Sequence, residues 1–235
     1  MADREQFLAN IRDALSSSNH SVSPAQAGAQ PPARPDSVEK PPPSDLLAQL
    51  ERTAALQSWH FTRAADENEA AASIVEIAKE HGAGRVVRTA HDVLERMALD
   101  AALTEAGMES VLLAETLGGL DAQARQDTAA AAAVGVTGVD AVIAETASVA
   151  LVPRRGMSRQ ASLLPPVHVA VATADQVVAS LDDVLALRLD ALAEAEEATW
   201  YMNLVSGPSR TADIEQTLVV GVHGPGVVYL VVIGE

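Results

Sequence analysis

Short β-branched apolar runs alternate with amphipathic stretches at helical spacing from Ser44 onward. Leu46, Leu47, Leu50, Ala54 and Leu56 make Ser44–Trp59 a helix, followed by a strand at His60–Arg63. A helix over Glu67–Glu80 stops at Gly82 and Gly84; Arg85–Arg88 is a strand, His91–Ala106 a helix and Ser110–Ala114 a strand. Asp121–Ala133 is Ala-rich and helical. Beyond it come the apolar runs Ala141–Ala144 and Ser148–Val152, a strand at Val167–Thr173 and a helix over Ala174–Leu189. Strands at Thr199–Val205, Leu218–Val222 and Val227–Ile233 close the chain. Helical segments between successive short apolar strands are the mark of βαβ units, because parallel strands need a crossover. The expected fold is α/β, a mostly parallel sheet flanked by helices, over residues 44–235.

Ahead of that domain, residues 1–16 read as an amphipathic helix with Phe7, Leu8, Ile11 and Leu15 on one face. Residues 17–43 are a Pro/Ser/Ala-rich linker ending in three consecutive prolines. The start MADREQF is charged and no apolar core of a signal peptide follows it, so a cytoplasmic location is expected. No apolar run approaches the roughly 20 residues of a membrane-spanning helix. With 32 acidic against 16 basic residues the net charge is −16, and only six residues are aromatic. A nucleic-acid binder needs a basic surface or a stacking platform, and this chain has neither. It also has no cysteine, so it cannot supply a thiolate nucleophile or the usual iron–sulfur ligands. Walker, GxGxxG, GxSxG and HExxH motifs are absent, and no metal-ligand spacing occurs.

Three polar segments interrupt the apolar second half. Gly135 and Gly138 flank Thr137 and predict a tight turn feeding the strand AVIA. Glu145 and Thr146 follow at that strand's far end, where open α/β sheets bind ligands; Glu145 there is a nucleophile, a general base or a solvated strand end. The second segment, SGPSRTADIE, spans Ser206 to Glu215. Its turn, hydroxyls, Arg210 and the helix start expected near Asp213 suit a carboxylate or phosphate, or else form a self-capped surface turn. The third, GVHGPG, holds His223 between glycines, where backbone can approach a ligand closely. His168 faces opposite to Val167 and Val169, toward a site or into the core. Arg154, Arg155 and Arg159 form the densest basic cluster, an anion receptor or a solvated loop.

The ordered set GVTGVDAVIAET, LLPPVHVAV, SGPSRTADIE and GVHGPG resembles the LUD-domain family of lactate-utilization proteins, in particular its C type. The resemblance implies a fold like the glucosamine-6-phosphate isomerase, ribose-5-phosphate isomerase and CoA-transferase group. It implies a subunit of an L-lactate-oxidising system, without a redox centre of its own, acting with iron–sulfur partner subunits and contributing an anion site and a docking surface. The family's signature polar positions fall on Thr137, Glu145, Thr146, His168, Ser206, Ser209, Arg210, Thr211, Asp213, Glu215 and His223. Glu145 and His223 are the catalytic candidates; the others, with Gly207 and Gly224, are ligand-binding candidates for a small carboxylate or phosphate. No metal or resident cofactor is expected, and a homo-oligomer is compatible with this reading. The chain departs from the family in carrying Ala147 and Ser148 where a Gly-Thr pair is usual. The same fold group leaves open a stand-alone isomerase or acyl-CoA transferase using Glu145, and a bare scaffold.

Overall fold

A computed structural model describes residues 43–114, 121–154, 157–194, 201–212 and 218–234. The chain divides into Met1–Lys40 and Pro41–Glu235, and all described residues belong to the second unit. The expected amino-terminal helix and linker, Arg155, Asp213 and Glu215 lie outside the described residues.

The core of the domain is a six-stranded sheet in the order β1-β12-β7-β4-β2-β3, with every neighbouring pair parallel. Its strands are β1 (His60–Ala64), β2 (Arg85–Arg88), β3 (Glu109–Leu112), β4 (Val134–Gly138), β7 (Val167–Thr173) and β12 (Val227–Ile233). Alternation along the central strands assigns the two faces. Val134, Val136, Val167, Val169, Val171, Tyr229 and Val231 enter one apolar cluster with Ala70, Ile74 and Ala78 of α2 (Glu67–Glu80). Leu94 of α3 (Asp92–Arg96) and Leu99 and Leu103 of α4 (Leu99–Glu105) complete it. On the opposite face Ala170, Ala172, Val228, Leu230 and Val232 meet Leu46, Leu47 and Leu50 of α1 (Pro43–Leu56). Leu56, at the end of that helix, is exposed.

The second face also carries a four-stranded sheet, β8-β5-β6-β9, whose Val142, Val149 and Leu151 share the α1 cluster. Its strands are β5 (Ala141–Ile143), β6 (Ser148–Leu151), β8 (Val177–Val178) and β9 (Asn203–Val205). Val184 of α7 (Leu181–Glu194) covers its far side with Ala141, Ile143 and Ala150. A two-residue antiparallel pair, β10 (Arg210–Thr211) with β11 (Val219–Val220), stands apart from both sheets. The remaining helices are α5 (Ala122–Ala130) and α6 (Gln160–Leu163).

The mostly parallel α/β architecture agrees with the sequence, but four local expectations are corrected. Gly135 and Gly138 are not in a turn; both lie inside β4, buried in the sheet. A Cβ on Gly135 would stand 1.9 Å from the Ala161 carbonyl oxygen, so the glycine is there because α6 rests on the strand's backbone. On Gly138 a Cβ would meet the His91 ring at 2.2 Å. The Ala174–Leu189 helix is instead a 3-10 turn over Ala174–Gln176, then β8, then α7. Gln176 bonds back to Thr173 and donates to the Val139 carbonyl, and Val177–Val178 pair with β5, so the chain is held extended there before α7 begins. The His91–Ala106 helix is divided at Ala98, which has φ of +49°. Leu218–Val222 contributes only the two residues of β11.

Candidate functional site

The order of the parallel strands locates a crevice. The chain leaves β2 toward β3 at one edge, whereas it leaves β4 for β7 on the other side, and β2 and β4 are neighbours. Connections that diverge from adjacent parallel strands open a gap beyond their carboxyl ends. A small cleft lies there, with Thr89, the residue after β2, and Thr137, near the end of β4, in its lining. Leu151, Pro153 and Met157 give it an apolar wall; Ser158, Arg159, Ser162 and Asn203 complete the lining.

Its polar groups are held by specific contacts. Arg159 donates to the Tyr201 hydroxyl at 2.9 Å and its guanidinium lies 5.0 Å over the Tyr201 ring centre. Tyr201 in turn donates to Asn203 Oδ1 at 2.6 Å. The Ser162 hydroxyl donates to the Arg159 carbonyl at 3.0 Å. Thr89 is buried and its Oγ1 has no hydrogen-bond partner. Thr137 is also buried, with Oγ1 2.8 Å from His168 Nε2. His168 is fully enclosed, its Nδ1 has no partner, and burial pushes its pKa down to about 4, so the ring is neutral. Beside the cleft His91 caps the start of α3 by accepting from the Val93 N–H at 3.4 Å. Burial, assisted by Arg154, lowers the His91 pKa. Arg154 itself pairs with Asp140.

The candidates from the sequence fall into three places. Thr137 and His168 meet at the cleft, on adjacent strands. Thr146, Ser148 and Ser206 form a chain of hydroxyls, at 2.8 Å and 2.5 Å, at the opposite end of the β6–β9 pair from Leu151 and Asn203. The third group joins the last two motifs: the Ser209 N–H donates to the Pro225 carbonyl at 2.9 Å, and Ser209 Oγ accepts from the His223 N–H at 3.3 Å. Gly224 sits against Ser209, and Gly207, at φ of +109°, passes so close to the Gln57 carbonyl that a Cβ would stand 2.4 Å from its oxygen.

Glu145 and Arg210 are not brought together, and neither lines the cleft. Glu145 is exposed and its Oε1 accepts from the Leu181 N–H at 3.0 Å, which caps α7 with a carboxylate. Arg210 donates to the Gln57 carbonyl at 3.0 Å and to Ser58 Oγ at 2.8 Å, fastening β10 to the turn after α1. Thr211 lies in β10 and the His223 side chain is exposed. Ala147 adopts φ of +49°, so the turn keeps the left-handed conformation that glycine takes more cheaply. Thr89, Ser158, Ser162 and Asn203 escaped the sequence reading. For Thr89 the signal was available, since it directly follows a strand's carboxyl end, the criterion that singled out Glu145. Among the described residues no group of three or more His, Asp or Glu side chains could hold a metal ion.

A parallel six-stranded sheet with a hydroxyl-lined cleft at its switch point is the arrangement in which open α/β sheets place ligand sites, beyond the carboxyl ends of the strands. The profile of the LUD domain matches residues 47–233, and the chain belongs to that family. It is similar to lactate utilization protein C of Macrococcus caseolyticus, 40% identical over 93 residues, which are 39% of this chain and 40% of that one. The corresponding protein of Halalkalibacterium halodurans is 41% identical over 93 residues (39% and 40%), and that of Bacillus subtilis 34% over 92 (39% and 38%). The match thus spans about two fifths of the length of these relatives. Among solved structures, a DUF162 family protein from Deinococcus radiodurans shares the fold, with a TM-score of 0.58 at 20% identity over 83% of this chain and 99% of that one. Among the described residues no helix is long and apolar enough to cross a membrane.

Proposed function

We propose that this chain serves lactate utilization as a cytoplasmic subunit that binds a small carboxylate in the β2/β4 cleft and works with iron–sulfur partner proteins. The observation that carries the reading is the cleft's chemistry: one guanidinium, Arg159, and several hydroxyls stand opposite an apolar wall at the switch point. A two- or three-carbon acid presents the complementary pair of surfaces, a carboxylate and a short apolar tail. The names of the relatives supply the biological context. Oxidising lactate to pyruvate removes two electrons and two protons, and a chain without cysteine offers no thiolate to hold a cluster. In this reading the electrons pass to a partner, and this chain contributes the anion site and a surface for docking.

Glu145 takes no part in this reading, because its carboxylate is engaged at the start of α7. The test is lactate-dependent reduction of an artificial electron acceptor by the reconstituted partner proteins, with and without this chain. The expected result is a rate that depends on the chain and falls on Arg159→Gln. Equal rates with and without it would remove the proposal.

A further inference from the structure

The unpartnered nitrogen of His168 decides which way the Thr137 hydroxyl points. A hydroxyl carries one proton and two acceptor lone pairs. If His168 is protonated on Nε2, the ring donates to Thr137 Oγ1 and the threonine keeps its own proton for the cleft. If the proton is on Nδ1, Thr137 must donate to Nε2 and can offer the cleft only lone pairs.

We infer that His168 is a positioning residue that donates through Nε2 to Thr137, fixing the Thr137 hydroxyl as a hydrogen-bond donor to an acceptor oxygen in the cleft. The geometry that carries this is the 2.8 Å contact between Nε2 and Oγ1, combined with a bare Nδ1 inside a fully buried ring. A proton on Nδ1 would leave a buried N–H with no acceptor, and orphaned donors are the rarer and costlier defect. A lone pair left unpaired on Nδ1 is the cheaper arrangement.

Thr89 supplies a second, independent sign that the floor of the cleft awaits an oxygen. Its hydroxyl is buried, lines the same cleft and has no partner in the protein. Buried polar groups are nearly always paired, so an unpaired hydroxyl in a cleft wall is matched by a ligand or an ordered water. Two hydroxyls and the Arg159 guanidinium make a set of donors suited to a carboxylate. With His168 donating to it, Thr137 keeps its proton and one lone pair, so an acceptor oxygen in the cleft can be met by the Thr137 O–H. This inference rests on the carboxylate reading for its choice of ligand, but the polarity of Thr137 is a property of the free protein.

The experiment therefore begins without ligand. Long-range ¹H–¹⁵N NMR of the full chain, near neutral pH, should show His168 as the neutral tautomer with Nε2 protonated and Nδ1 bare. The reverse pattern overturns the inference whatever the protein binds. The second measurement is the Kd for pyruvate by calorimetry. Thr137→Val and His168→Leu should each weaken binding about tenfold, while Thr137→Ser and His168→Gln, which restore a hydroxyl and an N–H donor, should largely keep it. Unchanged affinity in a folded Thr137→Val chain overturns the inference as well. If the unaltered protein binds neither pyruvate nor L-lactate while Nε2 carries the proton, the carboxylate reading fails and the assigned role of His168 stands.

Discussion

Replacing Gly135 with alanine tests the reason for its presence in a central strand. A Cβ there stands 1.9 Å from the Ala161 carbonyl oxygen, 2.9 Å from the Ala161 carbonyl carbon and 2.9 Å from Pro165 Cγ. Ordinary contact begins near 3.4 Å, so α6 would have to recede from β4 by about 1.5 Å. The obstacle is backbone, which no rotamer change can relieve, and β4 is fixed between β2 and β7. Overpacking of this kind costs roughly 1–3 kcal/mol, and a backbone obstruction belongs at the upper end. For a domain of this size about 3 kcal/mol lowers Tm by roughly 6–12 °C. Calorimetry and urea unfolding of Gly135→Ala against the unaltered chain would measure it. Gly84→Ala, where an added Cβ meets nothing within 4 Å, is the control and should shift stability by no more than about 0.5 kcal/mol. Because Arg159 and Ser162 travel with α6, pyruvate binding should weaken in parallel. A Gly135→Ala protein as stable as the Gly84→Ala control would refute the close-approach argument.

Four other substitutions probe the electrostatics. His168 has a folded pKa depressed to about 4 from 6.5, so its contribution to stability is present above pH 6.5 and is lost as pH falls toward 4. Integrated over that window the loss is about 3 kcal/mol, and urea unfolding of His168→Gln at several pH values should lack this part of the slope; identical slopes would show that the ring is not buried neutral. Asp100 binds the buried Arg88 through both oxygens, at 2.7 and 2.5 Å, and Arg88 with Ser110 holds its carboxyl below the usual range. Asp100→Asn should cost about 1–2 kcal/mol at neutral pH, discounted because the Asp100 side chain is 53% exposed, and the gap should close as the aspartate protonates in acid. A gap that persists unchanged into acid would count against the ion pair. In pyruvate titrations Arg159→Gln should raise Kd about tenfold, whereas Arg210→Gln should leave Kd unchanged and lower Tm; the opposite pattern would move the anion site to the Ser206–Thr211 segment.

The sheet was legible because its strands are nearly continuous apolar runs, as parallel strands buried on both faces must be. VHVAVAT and VVYLVVI needed no tertiary information to be read as strands. Where the reading failed, a distant partner had overridden the local signal. Gly135 and Gly138 read as turn residues on their own; only α6 and the His91 ring, lying against β4, explain glycines in a central strand. Val177 and Val178 continue a helical pattern in isolation, and their pairing with Val142 and Ile143 holds them extended. A one-dimensional pattern carries no record of either contact.

The same distinction separates what could be found of the site from what could not. Thr137 and His168 are 31 residues apart and become neighbours because β4 lies beside β7. Thr146 and Ser148 find Ser206 because β6 pairs with β9. The motifs thus mark where polar side chains stop the apolar runs, and strand order determines which of them face each other. Arg159 and Arg210 show the consequence. Arg210 sits in the richer motif, but its guanidinium is tied to Gln57 and Ser58. Arg159 comes from a cluster that reads more readily as a solvated loop, yet α6 carries it to the cleft, where Tyr201 supports it. In a chain of net charge −16, a cation that draws an anion to one place works best beside donors that the fold leaves without protein acceptors. Thr89, whose buried hydroxyl lines the cleft without a partner, marks that place at the β2/β4 switch point.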